Sequence, residues 1–339
     1  MTDETRSDDY LWDGTGAPDE EVVRLEAVLS RYRHRPALPP LPARPSSRRW
    51  AVHAAMQVAV AAASLLLVIA AAWFAFAMRQ SGWTVQSLEG APSIAGTRID
   101  APAVLPIGET LTTDNRSRAR IDVSTIGYVD VEPNSRLRLL TSRAGEHRMS
   151  LDMGVIRARI WAPPRLFFVN TPSSTAIDLG CAYTLKVGES GEGHVFVESG
   201  WVAFEHKGRE SFIPQGATCV TRPGAGPGTP CYTDAPEGFA DALTILDFAS
   251  TDDVRREAAL ATILSRARSK DAFTLWHLLS RVRPGERGRV YDRLASLVPP
   301  PPSATRENVA RGDRKALDDW WNTLGLDSAS WWRIWKRKW

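Results

Sequence analysis

The segment Val195-Phe196-Val197-Glu198-Ser199-Gly200-Trp201-Val202-Ala203-Phe204-Glu205 contains two short apolar runs with Ser-Gly between them. Valine and aromatic residues are favoured in strands, and Ser-Gly is typical of a tight turn. The segment therefore predicts two β-strands joined by a turn.

Short runs of the same kind recur from Gly82 to about Thr221, bounded by Gly, Pro, Asn or Ser. A spacing of about eight to twelve residues between such runs is typical of an all-β fold. The glycines of residues 188–193 (GESGEG) are explained by a hairpin loop. We predict a β domain over residues 82–222, folded as a sandwich, a roll or a short solenoid.

Six stretches of this region follow one another over about 100 residues: 106–113 (PIGETLTT), 118–121 (RARI), 129–135 (VDVEPNS), 151–156 (LDMGVI), 168–173 (FVNTPS) and 195–202 (VFVESGWV). They resemble the motifs of the FecR family of membrane-anchored signalling proteins. The resemblance implies transmission of a signal across the inner membrane to cytoplasmic sigma factors. The chain departs from the family at Gly180-Cys181-Ala182-Tyr183, where members usually have Gly-Thr-x-Phe.

Before the β region lies an uncharged run of twenty residues, 58–77 (VAVAAASLLLVIAAAWFAFA). Twenty helical residues reach about 30 Å, the thickness of the hydrocarbon core of a bilayer. Trp73 near one end and the preceding Arg48 and Arg49 favour a membrane span over a buried helix of a globular core. We predict one transmembrane helix within residues 51–79.

Arginine distribution predicts the orientation of this helix. Six arginines lie between residues 31 and 49, whereas Arg79 is the single basic residue of the eighteen that follow the apolar run. The positive-inside rule then predicts a single-pass protein of the bacterial inner membrane, with a cytoplasmic N-terminus and a periplasmic C-terminal region. A cleaved signal peptide is the alternative, but about fifty residues precede the apolar run, which is too many for its n-region.

The predicted cytoplasmic segment, residues 1–50, contains a short amphipathic helix over residues 18–34 and then a Pro-rich linker. Val22, Leu25, Leu29 and Tyr32 recur at spacings of three and four, which places them on one helical face. Because an isolated helix of this length is marginal in water, we expect its apolar face to bind a surface. The candidates are a second copy, a cytoplasmic partner or the membrane. The segment has no cysteine, so the His-x3-Cys-x2-Cys zinc site of many anti-sigma domains is absent.

Helical periodicity returns after the β region, and we predict a C-terminal helical bundle over residues 235–339, HEAT-like in its packing. Residues 275–279 (LWHLL) and Trp320-Trp321 are similar to a tail found in many FecR-like proteins. The last helix carries four tryptophans among basic residues. These indoles either pack on the bundle or lie on an anionic surface as an interfacial anchor; they are Trp331, Trp332, Trp335 and Trp339.

No catalytic motif is found. The six histidines are scattered, and no C-x-x-C pair occurs. His194 and His206 could approach each other beside Cys181, but their spacing does not predict a metal site. Cys181, Cys219 and Cys231 allow one disulfide at most, or three thiols. We therefore expect no enzyme activity, no cofactor and no metal. A net charge of +3 does not indicate direct nucleic-acid binding.

The predicted fold class is a multi-domain chain with a single transmembrane helix, a FecR-like β domain and a helical bundle. The predicted function is that of a FecR-type transmembrane regulator, which relays an envelope signal from an outer-compartment protein partner to a cytoplasmic sigma factor. The alternative is an envelope scaffold anchored in the inner membrane, with no role in transcription.

Overall fold

The computed structural model describes residues 10, 14–34, 56–71, 82–249 and 252–326 of the 339-residue chain. They belong to two units, residues 1–68 and residues 69–339.

In the first unit, helix α1 spans Glu20–Leu29 and a 3-10 turn follows at Ser30–Tyr32. Glu20 and Glu21 occupy the first turn of α1, where negative charge is favoured by the helix dipole. The α-helix begins two residues after, and ends five residues before, the helix predicted over residues 18–34. None of its residues is buried.

The predicted transmembrane helix is wrong, because none of the helices that the structure describes is long and apolar enough to cross a membrane. Helix α2 is described over residues 56–71. Residues 72–79 lie outside the described residues. Without a predicted membrane span that the structure supports, a second prediction is also wrong. It was that of a single-pass inner-membrane protein with a cytoplasmic N-terminus and a periplasmic C-terminal region.

The prediction of a β-rich fold is confirmed. Eighteen strands lie in the described part of the second unit: β1 (Gly82–Glu89), β2 (Ser93–Ile94), β3 (Thr97–Arg98), β4 (Ala103–Pro106), β5 (Thr110–Thr112), β6 (Arg118–Val123), β7 (Gly127–Val131), β8 (Arg136–Arg143), β9 (Glu146–Ile160), β10 (Phe167–Asn170), β11 (Thr175–Asp178), β12 (Ala182–Val187), β13 (Gly193–Ser199), β14 (Trp201–His206), β15 (Arg209–Pro214), β16 (Ala217–Arg222), β17 (Gly226–Pro227) and β18 (Cys231–Tyr232).

The long strand β9 belongs to two halves of one continuous sheet. In the first half-sheet the order is β4-β1-β6-β7-β9-β12-β13-β16, with β17 and β18 beside β16. In the second half-sheet the order is β3-β2-β5-β8-β9-β10-β11-β14-β15. All of these pairs are antiparallel except β9 with β10.

Strand β9 changes partners at Gly154. Residues before it pair with β8 and β10, whereas Gly154 and the residues after it pair with β12 and then β7. Gly154 has φ of +107°, a backbone conformation that side chains rarely tolerate. Ser135 lies directly against it and accepts a hydrogen bond from the main-chain N–H of Val155 through its Oγ (3.0 Å). The glycine thus allows one strand to serve both half-sheets.

Buried and more exposed residues alternate along the strands, and the buried ones form the apolar core. In β6 and β7 every second residue is buried, as a sheet with one covered face requires. The inward residues of both half-sheets form one apolar cluster, whose largest fully buried members include Trp83, Phe167, Tyr183 and Phe204.

The predicted C-terminal helices are present as α3 (Phe239–Phe248), α4 (Asp253–Arg266), α5 (Ala272–Leu279), α6 (Pro284–Leu297), α7 (Arg306–Ala310) and α8 (Arg314–Trp321). They enclose a second apolar cluster that includes Leu260, Leu275 and Trp320. Phe273 and Trp321 belong instead to the cluster of the β region, so the helices and the sheet share buried side chains.

The helices also cover one edge of the second half-sheet. Strand β15 pairs with β14, and the main-chain N–H of Phe212 in β15 donates to His277 Nε2 at 3.0 Å. One helical turn later, Arg281 donates to the carbonyl oxygen of Glu210 and to Ser211 Oγ. Since an unpaired strand edge invites another strand, these contacts protect β15 from strand addition.

Replacing Gly154 by Ala is expected to lower the free energy of unfolding by about 3 kcal/mol, because backbone strain and overlap combine. The new Cβ would lie 2.2 Å from Ser135 Oγ and 2.4 Å from Ser135 Cα. Urea unfolding measures the change. Gly145→Ala is the matched control, since a Cβ at Gly145 has no neighbour within 4 Å among the described residues. Equal stability of the two variants would contradict the role assigned to Gly154.

Candidate functional site

The predicted partner-binding residues of the first unit lie on α1 and the turn that follows it. Leu25 and Leu29 are 58% and 59% exposed, and Tyr32 in the 3-10 turn is 80% exposed. Val22, on the same side of α1 as both leucines, is partly buried. The structure therefore shows Val22, Leu25 and Leu29 on one helical face, with the leucines open to solvent.

The apolar surface of α1 is wider than its sequence periodicity predicts. Val23 and Val28 are 49% and 58% exposed, and they lie beside the predicted face. Glu26 accepts a hydrogen bond from the hydroxyl of Tyr10 at 3.3 Å. The four C-terminal tryptophans singled out by the sequence, Trp331, Trp332, Trp335 and Trp339, lie outside the described residues.

The outward face of the first half-sheet has a shallow concavity of about 430 Å³. We use the name Arg157 face for the charged and aromatic residues of its lining together with the adjacent Trp161: Arg120, Tyr128, Asp130, Arg157, Arg159, Trp161 and Glu198. Strand register creates it: Arg157 lies between Asp130 and Thr184, and Arg159 lies between Tyr128 and Ala182. The small side chains of Thr184 and Ala182 leave space beside the two arginines.

The arginines of this face differ in how tightly they are paired. Arg120 binds both carboxylate oxygens of Asp130, at 2.6 and 2.8 Å. Arg157 and Arg159 make looser contacts, 3.3 Å to Glu132 and 3.7 Å to Glu198. Surface pairs of this kind contribute little to stability, so Arg157 and Arg159 can exchange partners at small cost.

Trp161 is 65% exposed, yet its position is fixed. Its indole N–H donates to the carbonyl oxygen of Thr125 at 3.0 Å, and its ring meets the Tyr128 ring edge-on at 6.3 Å. The guanidinium of Arg120 lies over the Tyr128 ring, 4.2 Å from its centroid. The sequence did not single out this tryptophan. Alternation in residues 155–160 does place Arg157 and Arg159 on the outward side, and that signal could have found them.

A buried polar group lies between β11 and β12, where the sequence departs from the FecR motif. The thiol of Cys181 donates to Asp178 Oδ2 at 2.7 Å, and the main-chain N–H of Gly180 donates to Oδ1 at 2.7 Å. The Tyr183 hydroxyl is buried and has no hydrogen-bond partner among the residues that the structure describes. Burial raises the pKa of Asp178 to about 7, although these hydrogen bonds oppose the shift.

Burial also raises the pKa of the Cys181 thiol well above its usual value, with the nearby Asp178 carboxylate adding to the effect. The thiol therefore stays protonated at neutral pH, which makes it a poor nucleophile. Cys219 and Cys231 are likewise free and buried, and burial raises the pKa of each to about 12. Their burial and their protonated thiols indicate structural roles for the three cysteines.

The two histidines considered for a metal site lie on different half-sheets. His194 is in β13 of the first half-sheet, where its Nε2 is 2.7 Å from Thr218 Oγ1. His206 ends β14 in the second half-sheet. Within the described ranges, no group of three or more His, Cys, Asp or Glu side chains is placed to hold a metal ion.

The C-terminal residues singled out by the sequence lie where the helices meet the sheet. His277 Nδ1 is 2.8 Å from the carbonyl oxygen of Phe273, so Nδ1 carries the proton and Nε2 accepts from Phe212. The Trp321 ring packs edge-on against Trp276, with ring centroids 4.6 Å apart. These residues join the helices to the sheet.

Asp178→Asn is expected to remove a pH-dependent part of the stability. Between about pH 4 and pH 7 the native carboxyl holds a proton that the unfolded chain releases, so the free energy of unfolding falls by about 1.4 kcal/mol per pH unit as the pH rises. The asparagine variant lacks this proton. Its stability relative to the parent chain should therefore increase from pH 4.5 to 7 and then level off.

Urea unfolding of both chains at several pH values between 4.5 and 8.5 measures this difference. A stability difference that stays constant with pH would show that Asp178 titrates normally.

Comparison with known proteins leaves the family resemblance unconfirmed. No protein-family model matches the chain, and no curated protein matches it. Two crystal structures of a proposed anti-sigma factor from Parabacteroides distasonis ATCC 8503 are similar in part, with 13% and 12% sequence identity and a TM-score of 0.32 in each case. The likeness covers 39% of this chain and 63% and 62% of the two crystallised chains. The FecR assignment therefore stays a resemblance carried by the sequence motifs.

Proposed function

We propose that this protein is a regulator of the anti-sigma type, which acts by binding a sigma factor through α1 and has no catalytic activity of its own. The observation that carries the proposal is the exposure of Leu25 and Leu29 on one face of a helix that has no buried residue. The FecR-like motifs of the β region add support from the sequence.

Energetics favour a partner for α1. A ten-residue helix is marginal in water unless its apolar face packs on something. Burying one leucine side chain contributes about 1.5–3 kcal/mol, so Leu25 and Leu29 together could supply much of the free energy of a micromolar complex. An amphipathic helix laid into an apolar groove is a common mode of protein recognition.

A binding role also fits the way the reactive side chains are used. Asp178 and Cys181 bond to each other in the core, and His277 is held between Phe273 and Phe212. Each of these groups serves the packing of the fold. The proposal therefore assigns recognition to exposed surfaces and no chemistry to the interior.

Leu25→Lys is expected to weaken binding of the full chain to its sigma factor at least tenfold, because a charged group replaces a leucine that would be buried in the complex. Purified sigma factors of the same organism are tested one by one by isothermal titration calorimetry. Ala27→Lys is the matched control, since it adds the same charge on the opposite side of α1. We expect its affinity to stay within about twofold of the parent chain.

Circular dichroism of both variants confirms that α1 still forms. The proposal fails if no sigma factor binds the parent chain, or if Leu25→Lys and Ala27→Lys bind equally well.

A further inference from the structure

On the Arg157 face, Arg157 and Arg159 are more exposed than the carboxylates that pair with them. Arg157 is 59% exposed while its partner Glu132 is 15% exposed, and Arg159 is 60% exposed while Glu198 is 39% exposed. Glu132 is further engaged by Arg118 at 2.9 Å. A guanidinium has five N–H donors, and one loose ion pair leaves most of them open. The guanidinium donors of Arg157 and Arg159 are therefore open to a partner.

The spacing of the two arginines fits an extended chain. Arg157 and Arg159 are two residues apart on one side of β9, which separates their Cα atoms by about 7 Å. Side chains at alternate positions of an extended peptide have the same spacing. Two carboxylates at such positions could each meet one guanidinium, and arginine binds carboxylates in a planar, two-point geometry.

Trp161 supplies an apolar contact beside the arginines. It is held by Thr125 and Tyr128 while about two thirds of it stays open to solvent. A side chain fixed before binding loses little conformational entropy in the complex. Tryptophan, tyrosine and arginine are also the residues most enriched at the centres of protein interfaces.

Charge distribution favours a peptide over a polyphosphate. Asp130 and Glu198 line the same concavity as the arginines, and Glu132 pairs with Arg157. A polymer with a negative charge on every unit would place some of its charges next to these carboxylates and be repelled by them. A peptide can place its acidic residues at alternate positions only and offer an apolar side chain to Trp161.

We propose that the Arg157 face binds an extended acidic segment of a partner protein, with Asp or Glu at alternate positions on Arg157 and Arg159 and an apolar residue on Trp161. This site uses residues distinct from those of α1 and does not depend on the proposed sigma-factor contact.

The test uses the full chain and a fluorescently labelled peptide, Ser-Phe-Ser-Glu-Ser-Glu-Ser-Glu-Ser, in anisotropy titrations at low salt. The double variant R157Q/R159Q is expected to bind at least tenfold more weakly than the parent chain, and Trp161→Ala at least threefold more weakly. R136Q/R138Q is the matched control, because these arginines have the same spacing and are exposed on β8. Its affinity should stay within twofold of the parent chain.

Two further measurements keep the proposal open to refutation. A peptide of the same composition with its three glutamates consecutive should bind more weakly, and inorganic polyphosphate should compete poorly with the labelled peptide. The proposal is wrong if the two peptides bind equally well, or if the two double variants lose the same affinity. It is also wrong if the parent chain does not bind the peptide, or if polyphosphate displaces the labelled peptide at a lower concentration than unlabelled peptide does. Unchanged thermal unfolding temperatures show that the variants are folded.

Discussion

The contact between Gly154 and Ser135 is the constraint on which the β region depends. Strand β9 can pair with β8 and β10 on one side of this point and with β7 and β12 on the other because its backbone turns through a positive φ. Ser135 Oγ accepts from the N–H of Val155 next to the turn, so the bend leaves that buried donor satisfied. Both half-sheets, and the single core that they enclose, follow from this geometry.

The same principle of satisfied backbone groups explains how the helices attach. His277 and Arg281 bind main-chain groups of β15 that another strand would otherwise use. The side chain of Arg281 is only 6% exposed, and burial lowers its pKa to about 10 although the carboxylate of Asp247 opposes the shift. It remains charged at neutral pH and is held by Ser211 and Thr229. Removing one member of such a buried polar set leaves the others unpaired, so the sheet and the helices are expected to unfold together.

The spacing of apolar residues along the sequence predicted the strands and helices, whose formation depends on residues close in sequence. Residues 119–123 and 155–160 alternate between apolar and charged side chains as a strand with one covered face must, and in the structure both runs lie in strands that bury the apolar side. Periodicity over residues 251–267 predicted a helix for the corresponding reason, and the structure has α4 there, over Asp253–Arg266. The pairing of β9 with two sets of strands, and the contact of Cys181 with Asp178, could not be predicted, since each depends on partners distant along the chain or on the path of a turn.

The run at residues 58–77 shows where composition misleads. Its length and apolar content, with Trp73 and the flanking arginines, predicted a membrane span, but none of the described helices is long and apolar enough to cross a membrane. The candidate binding residues were likewise predictable from the sequence only in part. Periodicity found the leucines of α1, whereas the Arg157 face needed the register that brings Tyr128 beside Arg159 and fixes Trp161 without burying it.

Rigidity gives the Arg157 face its value as a binding surface. Its strands are paired on both sides, so Arg157 and Arg159 project from a backbone that does not need to reorder when a partner arrives. Helix α1 is short and has no buried residue, so part of the free energy of binding there must order the helix. Mutations on the sheet face should therefore change affinity through lost contacts, whereas mutations in α1 change affinity through both contacts and helix stability.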